Sequence, residues 1–472
     1  MKKDSNPKIK KQKEMPHAYV ILFVILIVAM IATWIVPAGS YTRYVDEVSG
    51  RTIIDATSYA AVESAPVGPF DMMVSIQEGL IAACSISFLI FTAYSALYML
   101  EKSGAVDAII AIMVKKTKAQ PKYAGVFITL IVMVLSAWGS TGTLSYEEIF
   151  AFVPIFVAIA IALGYDAMVG LAISVFPVGI GFASATVNPF TIGVAQTIAE
   201  LPMFSGLGFR LVIWAVMTAF LIIYVLWYGT RIKKDPTKSI VYGIDMGDYA
   251  VDEERLQTEF TLERKLGLVA LLVTVGFMAW GLLTQGWYVN QCSALFIIFA
   301  IALAIINRWS PNKMVGTFLE GMGRAVMPAL LVGFARSILV VLEKGMIIDT
   351  IVNSCVSLIE GLSLYASSVA MLIFQTFLNF LIPSGSGQAA VSMPIMAPIA
   401  DLIGMNRQIA VLAFQFGDGF SNLLWPTGFA VIGCAMAKIP LGKYYKWFMP
   451  FFGISFLLQC AFLFVAVAIN YQ

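Results

Sequence analysis

Long apolar runs alternate with short polar segments along the chain, and each run has the length that crosses a bilayer. About 20 consecutive apolar residues span the hydrocarbon core as a helix. Seven uninterrupted runs predict transmembrane helices at about 18–36, 79–100, 210–228, 265–286, 292–306, 322–342 and 447–469. The amphipathic stretches 104–116 and 346–361 predict helices that lie on the membrane surface.

Four further apolar runs are interrupted by Gly, Ser, Thr, Asn and Pro. The runs 123–163 and 364–403 are too long for one crossing and too short for two crossings with a loop. We predict two re-entrant hairpins, the first opening to the cytoplasm and the second to the outside. The runs 167–200 and 408–437 predict broken helices. Together, the seven uninterrupted runs, the two broken helices and the two hairpins predict an all-α polytopic membrane protein with about nine transmembrane helices.

Composition narrows the class of protein. The 472 residues are 60% hydrophobic and 12% charged, whereas soluble domains carry about 25% charged residues. The net charge of +2 argues against a nucleic-acid partner. One histidine, five scattered cysteines and the absence of a Walker motif exclude a His-based triad, a zinc site and an ATP-driven motor. We expect neither an enzyme nor a resident cofactor.

Lysine and arginine near the spans predict the orientation. Six lysines lie in the first 13 residues, so the tail 1–16 is predicted to be cytoplasmic. The polar segment 230–264 starts with a basic stretch and is predicted to be a cytoplasmic linker. The acid-rich segment 38–71 is predicted to be external, and nine crossings leave the C-terminus external as well.

Short motifs recur about 240 residues apart. Leu-Glu-Lys at 100–102 recurs at 342–344, and Leu201-Pro202 recurs as Ile439-Pro440. The hairpin tips and helix breaks follow at offsets between 237 and 246. We predict an inverted repeat of segments 17–229 and 287–472, with the single helix 265–286 reversing the orientation of the second. Inverted repeats with broken helices are typical of secondary transporters.

The interruptions carry the candidate binding groups, because unwound backbone at membrane depth must be buried or line a wet cavity. Hydroxyls and amides group at the tips and breaks, and we predict that they contact the substrate: Ser140, Thr141, Thr143, Asn188, Ser384, Ser386, Gln388, Asn422 and Thr427. Four residues at the breaks are candidates for a coupling Na⁺: Thr186, Asn188, Ser421 and Asn422. H⁺ is the alternative coupling ion.

Charged residues inside apolar runs are costly and mark ion or substrate paths. Glu147, Glu148 and Asp418 are such residues, and we expect at least one of them to bind a cation or a substrate amine. Because the two glutamates cannot share one helix face, we expect one to line the pocket and the other to brace the hairpin. Arg336 either snorkels to the outer surface or binds a substrate carboxylate.

Several blocks resemble the YfcC-like carriers, which lie beside the DcuC-type dicarboxylate carriers in the ion-transporter superfamily. The blocks are 15–20, 35–39, 164–166, Ser184 to Phe190 (SATVNPF), 204–210 and the pair Glu147-Glu148. The resemblance implies an elevator-type fold and a homodimer in the bacterial cytoplasmic membrane. It also implies antiport of arginine and ornithine, the usual assignment in that group. In related carriers, hairpin tips and helix breaks bind Na⁺ and carboxylate.

The hypothesis is therefore a secondary transporter in the lipid bilayer that moves amino acids, cationic ones in particular, by an elevator mechanism. Tip hydroxyls would hold the α-carboxylate, and the acids would hold amines or a coupling cation. The alternative is a Na⁺- or H⁺-coupled four-carbon dicarboxylate carrier, for which Arg336 would be essential. An ion channel fits two inverted halves less well, and a membrane enzyme would need a nucleophile–base pattern that the sequence lacks.

Overall fold

The structure is a computed structural model that describes residues 18–45, 52–55, 57–142, 144, 146–188, 190–249, 257–285, 287, 289–357 and 362–472. These residues form 19 α-helices and four short strands. The helices before the linker are α1 (Ala18–Ile35), α2 (Pro69–Ala82), α3 (Cys84–Lys102), α4 (Ala105–Ala119), α5 (Lys122–Thr141), α6 (Tyr146–Ala162), α7 (Ala167–Ala183), α8 (Ile192–Ile198) and α9 (Leu207–Lys234). Those after it are α10 (Leu262–Thr284), α11 (Val289–Ile306), α12 (Pro311–Arg324), α13 (Val326–Lys344), α14 (Ile348–Ser357), α15 (Leu364–Leu381), α16 (Gly385–Leu402), α17 (Arg407–Ser421), α18 (Phe429–Met436) and α19 (Leu441–Ala468).

Six of the described helices are long and apolar enough to cross a membrane, namely α3, α5, α9, α11, α15 and α19. The pair α12 and α13, bent by 44°, is a seventh candidate. The chain is therefore a multi-pass helical membrane protein. Two of the six, α5 and α15, are the first arms of the predicted hairpins, and the total of nine crossings stays a prediction.

Two small β-ribbons are a feature that the all-α prediction missed. Strand β1 (Gly39–Ser40) pairs with β4 (Ala60–Ala61), and β2 (Arg43–Val45) pairs with β3 (Thr52–Ile54), both antiparallel. Arg43 reaches Asp349 of α14 with 2.8 Å between guanidinium nitrogen and carboxylate oxygen. Strands of two or three residues are too short to leave a hydrophobic period in the sequence.

Two predicted helices, 79–100 and 322–342, are each two helices in the structure. α2 and α3 are separated by Ala83, and α12 and α13 by Ala325. The first arm of each pair carries charged residues, such as Glu78 in α2 and Glu320 in α12, and α12 is amphipathic. Because both arms carry charged residues, the predicted apolar runs begin only in the last turn of each arm, at 79 and 322.

The helices pack into two bundles. In the first bundle, α13 packs on α1, α2 and α3, and α3 also packs on α11 and α12. The second bundle contains α5–α9 and α15–α19. At its centre α7 crosses α17, where a Cβ on Gly419 would lie 2.3 Å from the Cα of Ala183. Only glycine allows this backbone contact, which brings the two helix breaks together.

Candidate functional site

A cavity of about 300 Å³ lies where both hairpin tips meet the two helix breaks. From the first half it is lined by Gly142, Glu147, Glu148 and Thr191, and from the second half by hairpin residues 383–386 and break residues 426–429. Residues of α13 complete the wall. The convergence of four interruptions from different parts of the chain is what the sequence predicted for a binding site.

The first tip is closed by a glycine that the geometry requires. α5 ends at Gly142, whose φ of +73° is left-handed, and a Cβ there would lie 2.6 Å from Oδ1 of Asn188. Behind the tip, the backbone N–H of Thr186 donates to the carbonyl of Ser140 at 2.9 Å. Ser140, Thr186 and Asn188 are all buried, and they join the tip to the first break without being part of the cavity wall.

The second tip presents the N-terminal end of α16 to the cavity. Ser384 caps this helix by accepting from the backbone N–H of Gly387 at 3.4 Å, and both Ser384 and Ser386 line the cavity. A Cβ on Gly385 would lie 3.1 Å from a carboxylate oxygen of Asp418. The partial positive charge of a helix N-terminus therefore faces the cavity beside a carboxylate.

Asp418 is the most strongly isolated acid of the site. It lies in the last turn of α17, is 1% exposed, and neither carboxylate oxygen has a hydrogen-bond partner among the described residues. Its backbone carbonyl accepts from Asn379 at 3.1 Å and from Asn422 at 2.9 Å. The amide oxygen of Asn422 also has no partner within the described part of the chain. Buried carboxylate and amide oxygens that lack a hydrogen-bond partner favour a bound cation.

Glu147 and Glu148 form the first turn of α6, and both line the cavity. The expectation that only one of the two glutamates would line the cavity is therefore wrong. Consecutive residues differ by about 100° around a helix, but the cavity wraps around the end of α6 and reaches both side chains. Glu148 is 5% exposed and Glu147 is half-buried.

Arg336 lies on α13 and lines the same cavity. It also lines a second cavity, of about 480 Å³, that contains Arg43, Glu343 and Asp349. No acidic partner of Arg336 is found within the described residues, and its side chain is half-buried at the boundary between the two cavities. The interpretation of Arg336 as a ligand of a substrate carboxylate stays a prediction.

Several predicted site residues lie away from the cavity wall. The side-chain amide of Gln388 donates to the backbone and side chain of Gln375 at 2.9 and 2.7 Å, which ties the two arms of the second hairpin together. Ser421 accepts from Asn379 at 2.7 Å, and the hydroxyl of Thr141 donates to its own helix. Thr427 does line the cavity. Thr143 lies outside the described residues.

Aromatic residues that the sequence did not single out form part of the wall. The rings of Tyr146 and Phe429 stack with 4.2 Å between their centroids, and the hydroxyl of Tyr146 donates to the carbonyl of Gly419 at 3.0 Å. Phe182 packs on the same tyrosine. Aromatic residues are common throughout the apolar runs, so nothing in the sequence distinguishes these three. Within the described residues, no group of three or more His, Cys, Asp and Glu is arranged to hold a metal ion.

Comparison with known proteins gives two extensive sequence similarities. The protein of Escherichia coli (strain K12) named "Putative basic amino acid antiporter YfcC" is 30% identical over 97% of this chain and 97% of its own. An uncharacterized protein of Haemophilus influenzae is 31% identical over 98% of this chain and 99% of its own. Residues 15–468 match the family described as DcuC, C4-dicarboxylate anaerobic carrier.

Two solved structures are more remote. MtrF of Neisseria gonorrhoeae, described within a class of antimetabolite efflux pumps, is 17% identical with a TM-score of 0.43 over 96% of this chain and 95% of its own. The YdaH transporter of Alcanivorax borkumensis is 13% identical with a TM-score of 0.44 over 97% of this chain and 99% of its own. At these TM-scores neither structure says anything about the substrate.

The family and the relatives identify the class of protein as a membrane transporter. The family match covers nearly the whole chain. The chain belongs to the DcuC family of C4-dicarboxylate anaerobic carriers.

Proposed function

We propose that the chain is a secondary antiporter for amino acids with cationic side chains, such as arginine and ornithine. The observation that carries the proposal is the charge of the cavity wall, where three carboxylates face a single basic residue among the described ones. The carboxylates belong to Glu147, Glu148 and Asp418. Acids at this depth are costly unless a cation pairs with them, so the cavity favours a ligand with more positive than negative groups.

The arrangement suggests which part of the ligand each group contacts. The N-terminal end of α16, with Ser384 and Ser386, suits the α-carboxylate. Asp418 is next to that helix end and suits the neighbouring α-amino group. Glu147 and Glu148 come from α6 on another wall and suit the cationic side chain. Small-molecule sites occupy about 300–1,000 Å³, and this cavity of about 300 Å³ suits a single amino acid.

The E. coli relative supports this substrate class through its name, which refers to basic amino acids. The family description supports a second candidate, a Na⁺- or H⁺-coupled carrier of four-carbon dicarboxylates. One observation favours that candidate, since Arg336 lines the cavity and could bind a carboxylate. Two substrate carboxylates would, however, face repulsion from three acids, so the cationic amino acid ranks first.

We also propose that segments 17–229 and 287–472 are inverted repeats. Helices α1–α9 and α11–α19 follow the same order, and α9 and α19 both have 28 residues. Contacts within the first bundle are reciprocal. A Cβ on Gly79 would lie 2.5 Å from the nitrogen of Ser337, and a Cβ on Gly321 would lie 2.8 Å from the Cα of Ser95. Gly321 and Ser337 each stand 242 positions after Gly79 and Ser95, as a twofold relation requires.

One asymmetry between the halves supports an elevator movement. α6 packs on α3, whereas the second cavity separates their counterparts α16 and α13 along Arg336, Glu343, Ser386 and Val391. If α16 comes to pack on α13 while α6 separates from α3, a site open to one side of the membrane becomes open to the other side. The family resemblance extends the proposal to a homodimer in the bacterial cytoplasmic membrane. Its N-terminus would be cytoplasmic and its C-terminus external, as the positive charges near the spans predict.

Counterflow in proteoliposomes tests the function. Vesicles loaded with unlabelled arginine, ornithine or succinate are diluted into labelled arginine or labelled succinate, with Na⁺ replaced by choline in a parallel series. We expect saturable arginine uptake only into vesicles loaded with arginine or ornithine. Succinate exchange without amino-acid uptake would overturn the proposal in favour of the dicarboxylate carrier. Loss of uptake in choline would assign a Na⁺ site, for which Thr186, Asn188, Ser421 and Asn422 are the candidates.

A further inference from the structure

The acids and the base of the cavity lie on different bundles. Glu147 and Glu148 begin α6, and Asp418 is in the last turn of α17, both in the second bundle. Arg336 is on α13, which packs mainly on α1, α2 and α3 of the first bundle and makes a smaller contact with α18 of the second. Any movement of the second bundle against the first therefore changes the distance between the three carboxylates and the guanidinium.

The acidic and basic groups that line the cavity are also unequal in number. Three carboxylates and one guanidinium line the cavity among the described residues. Asp418 is 1% exposed, and both of its carboxylate oxygens lack a partner there. An uncompensated buried carboxylate is costly, and within the described part of the chain the Arg336 guanidinium is the one basic group that lines the same cavity. Because Arg336 and Asp418 line one cavity without forming an ion pair, a movement of the bundles can bring the two charges together.

We propose that Arg336 is a tethered counter-cation that holds the substrate-free second bundle and so makes transport an obligatory exchange. This inference rests on the proposed function, because it needs a cationic substrate. A bound arginine or ornithine supplies the positive charge that the carboxylates otherwise receive from Arg336. The substrate then weakens the attraction between the bundles, and only the loaded second bundle moves freely.

The position of Arg336 suits such a role better than that of a permanent substrate ligand. It stands where the substrate cavity meets the second cavity, which also contains Ser384 and Ser386 of the hairpin tip. A cation at this boundary competes with the substrate for the same carboxylates. The inference therefore makes an equilibrium prediction, that loss of the Arg336 charge tightens the binding of a cationic amino acid.

The experiment compares the wild type with Arg336→Gln, Arg336→Met and Arg336→Lys. Lys344→Gln is the matched control, since it removes one positive charge from the same helix at a residue that pairs with Glu78 outside the cavity. Two quantities are measured: the ratio of net arginine efflux to arginine exchange in proteoliposomes, and the arginine Kd in detergent from ligand-induced thermal shifts.

For the two uncharged variants we expect the efflux-to-exchange ratio to rise, and the arginine Kd to fall, by about tenfold, the effect of one screened charge pair. Arg336→Lys and Lys344→Gln should behave like the wild type. Loss of arginine binding in the uncharged variants would overturn the inference, because it would make Arg336 a carboxylate ligand. An unchanged ratio and Kd would overturn it too. Failure of wild-type exchange itself would instead refute the proposed function.

Discussion

Asp418→Asn should weaken substrate binding while leaving the empty protein at least as stable as the wild type. The substitution preserves the shape of the side chain and removes its charge. In the structure Asp418 is 1% exposed, with neither carboxylate oxygen bonded to another described residue. No hydrogen bond between the carboxylate and a described residue is lost, and a costly buried charge disappears, so folding gains from the change.

The magnitude follows from the charge pair that the substrate would make. Opposite charges about 4 Å apart attract by about 4 kcal/mol at the effective dielectric of about 20 found near protein sites. The Asn amide oxygen still accepts a hydrogen bond, which returns about 1 kcal/mol. The net loss of about 3 kcal/mol corresponds to a roughly hundredfold weaker arginine Kd.

The assay is a thermal-shift titration of purified protein with arginine, read together with the melting temperature of the empty protein. The expected result is an arginine titration displaced by about two decades, with an unchanged or higher melting temperature without ligand. A change in Kd of less than about threefold would refute the assignment of Asp418 to the substrate amine. A large fall in the melting temperature of the empty protein would refute the claim that the carboxylate is unpaired.

Two further predictions concern the packing beneath the cavity. Gly419→Ala places a Cβ 2.3 Å from the Cα of Ala183, so we expect a loss of about 1–3 kcal/mol or misfolding, read from size-exclusion profiles and melting. Gly453→Ala, which meets nothing within 4 Å, is its control, and equal losses in both would contradict the crossing. Tyr146→Phe leaves the carbonyl of Gly419 without its donor and should lower the free energy of unfolding by about 1–2 kcal/mol. The exposed Tyr242→Phe should have no effect, and a matching loss there would argue against the hydrogen bond.

The sequence predicted the cavity because several residues that line it are energetically unfavourable inside a membrane. Interrupted apolar runs and acids at membrane depth survive only where the fold buries or hydrates them, so their positions along the chain predict a common site. The structure brings the tip around Ser384, the break at Asp418 and the pair at Glu147 to one cavity. The structure has helices in the two stretches predicted as surface helices, α4 and α14, and their location on the membrane surface stays a prediction.

The direction in which each side chain points could not be predicted. Gln388 and Ser386 are two positions apart in the same helical turn, but Ser386 lines the cavity and Gln388 bonds to Gln375 on the other arm. A rotation of about 100° per residue separates the two roles, and the sequence does not record which face meets the neighbouring helix. Phe429 was missed for a related reason, since its stacking partner Tyr146 is almost 300 positions away.

The contacts around the cavity also indicate where a transport movement would occur. The two breaks are joined by the crossing of Gly419 and Ala183, the first hairpin by the bond from Tyr146 to Gly419, and the second by the bond from Asn379 to Asp418. Hairpins and breaks of both halves are therefore coupled, and a shift of one requires a shift of all. Between α13 and α16, by contrast, lies a cavity of about 480 Å³. Movement concentrates where buried contacts are few, and we therefore propose that a transport movement of the second bundle follows this boundary, at which Arg336 stands.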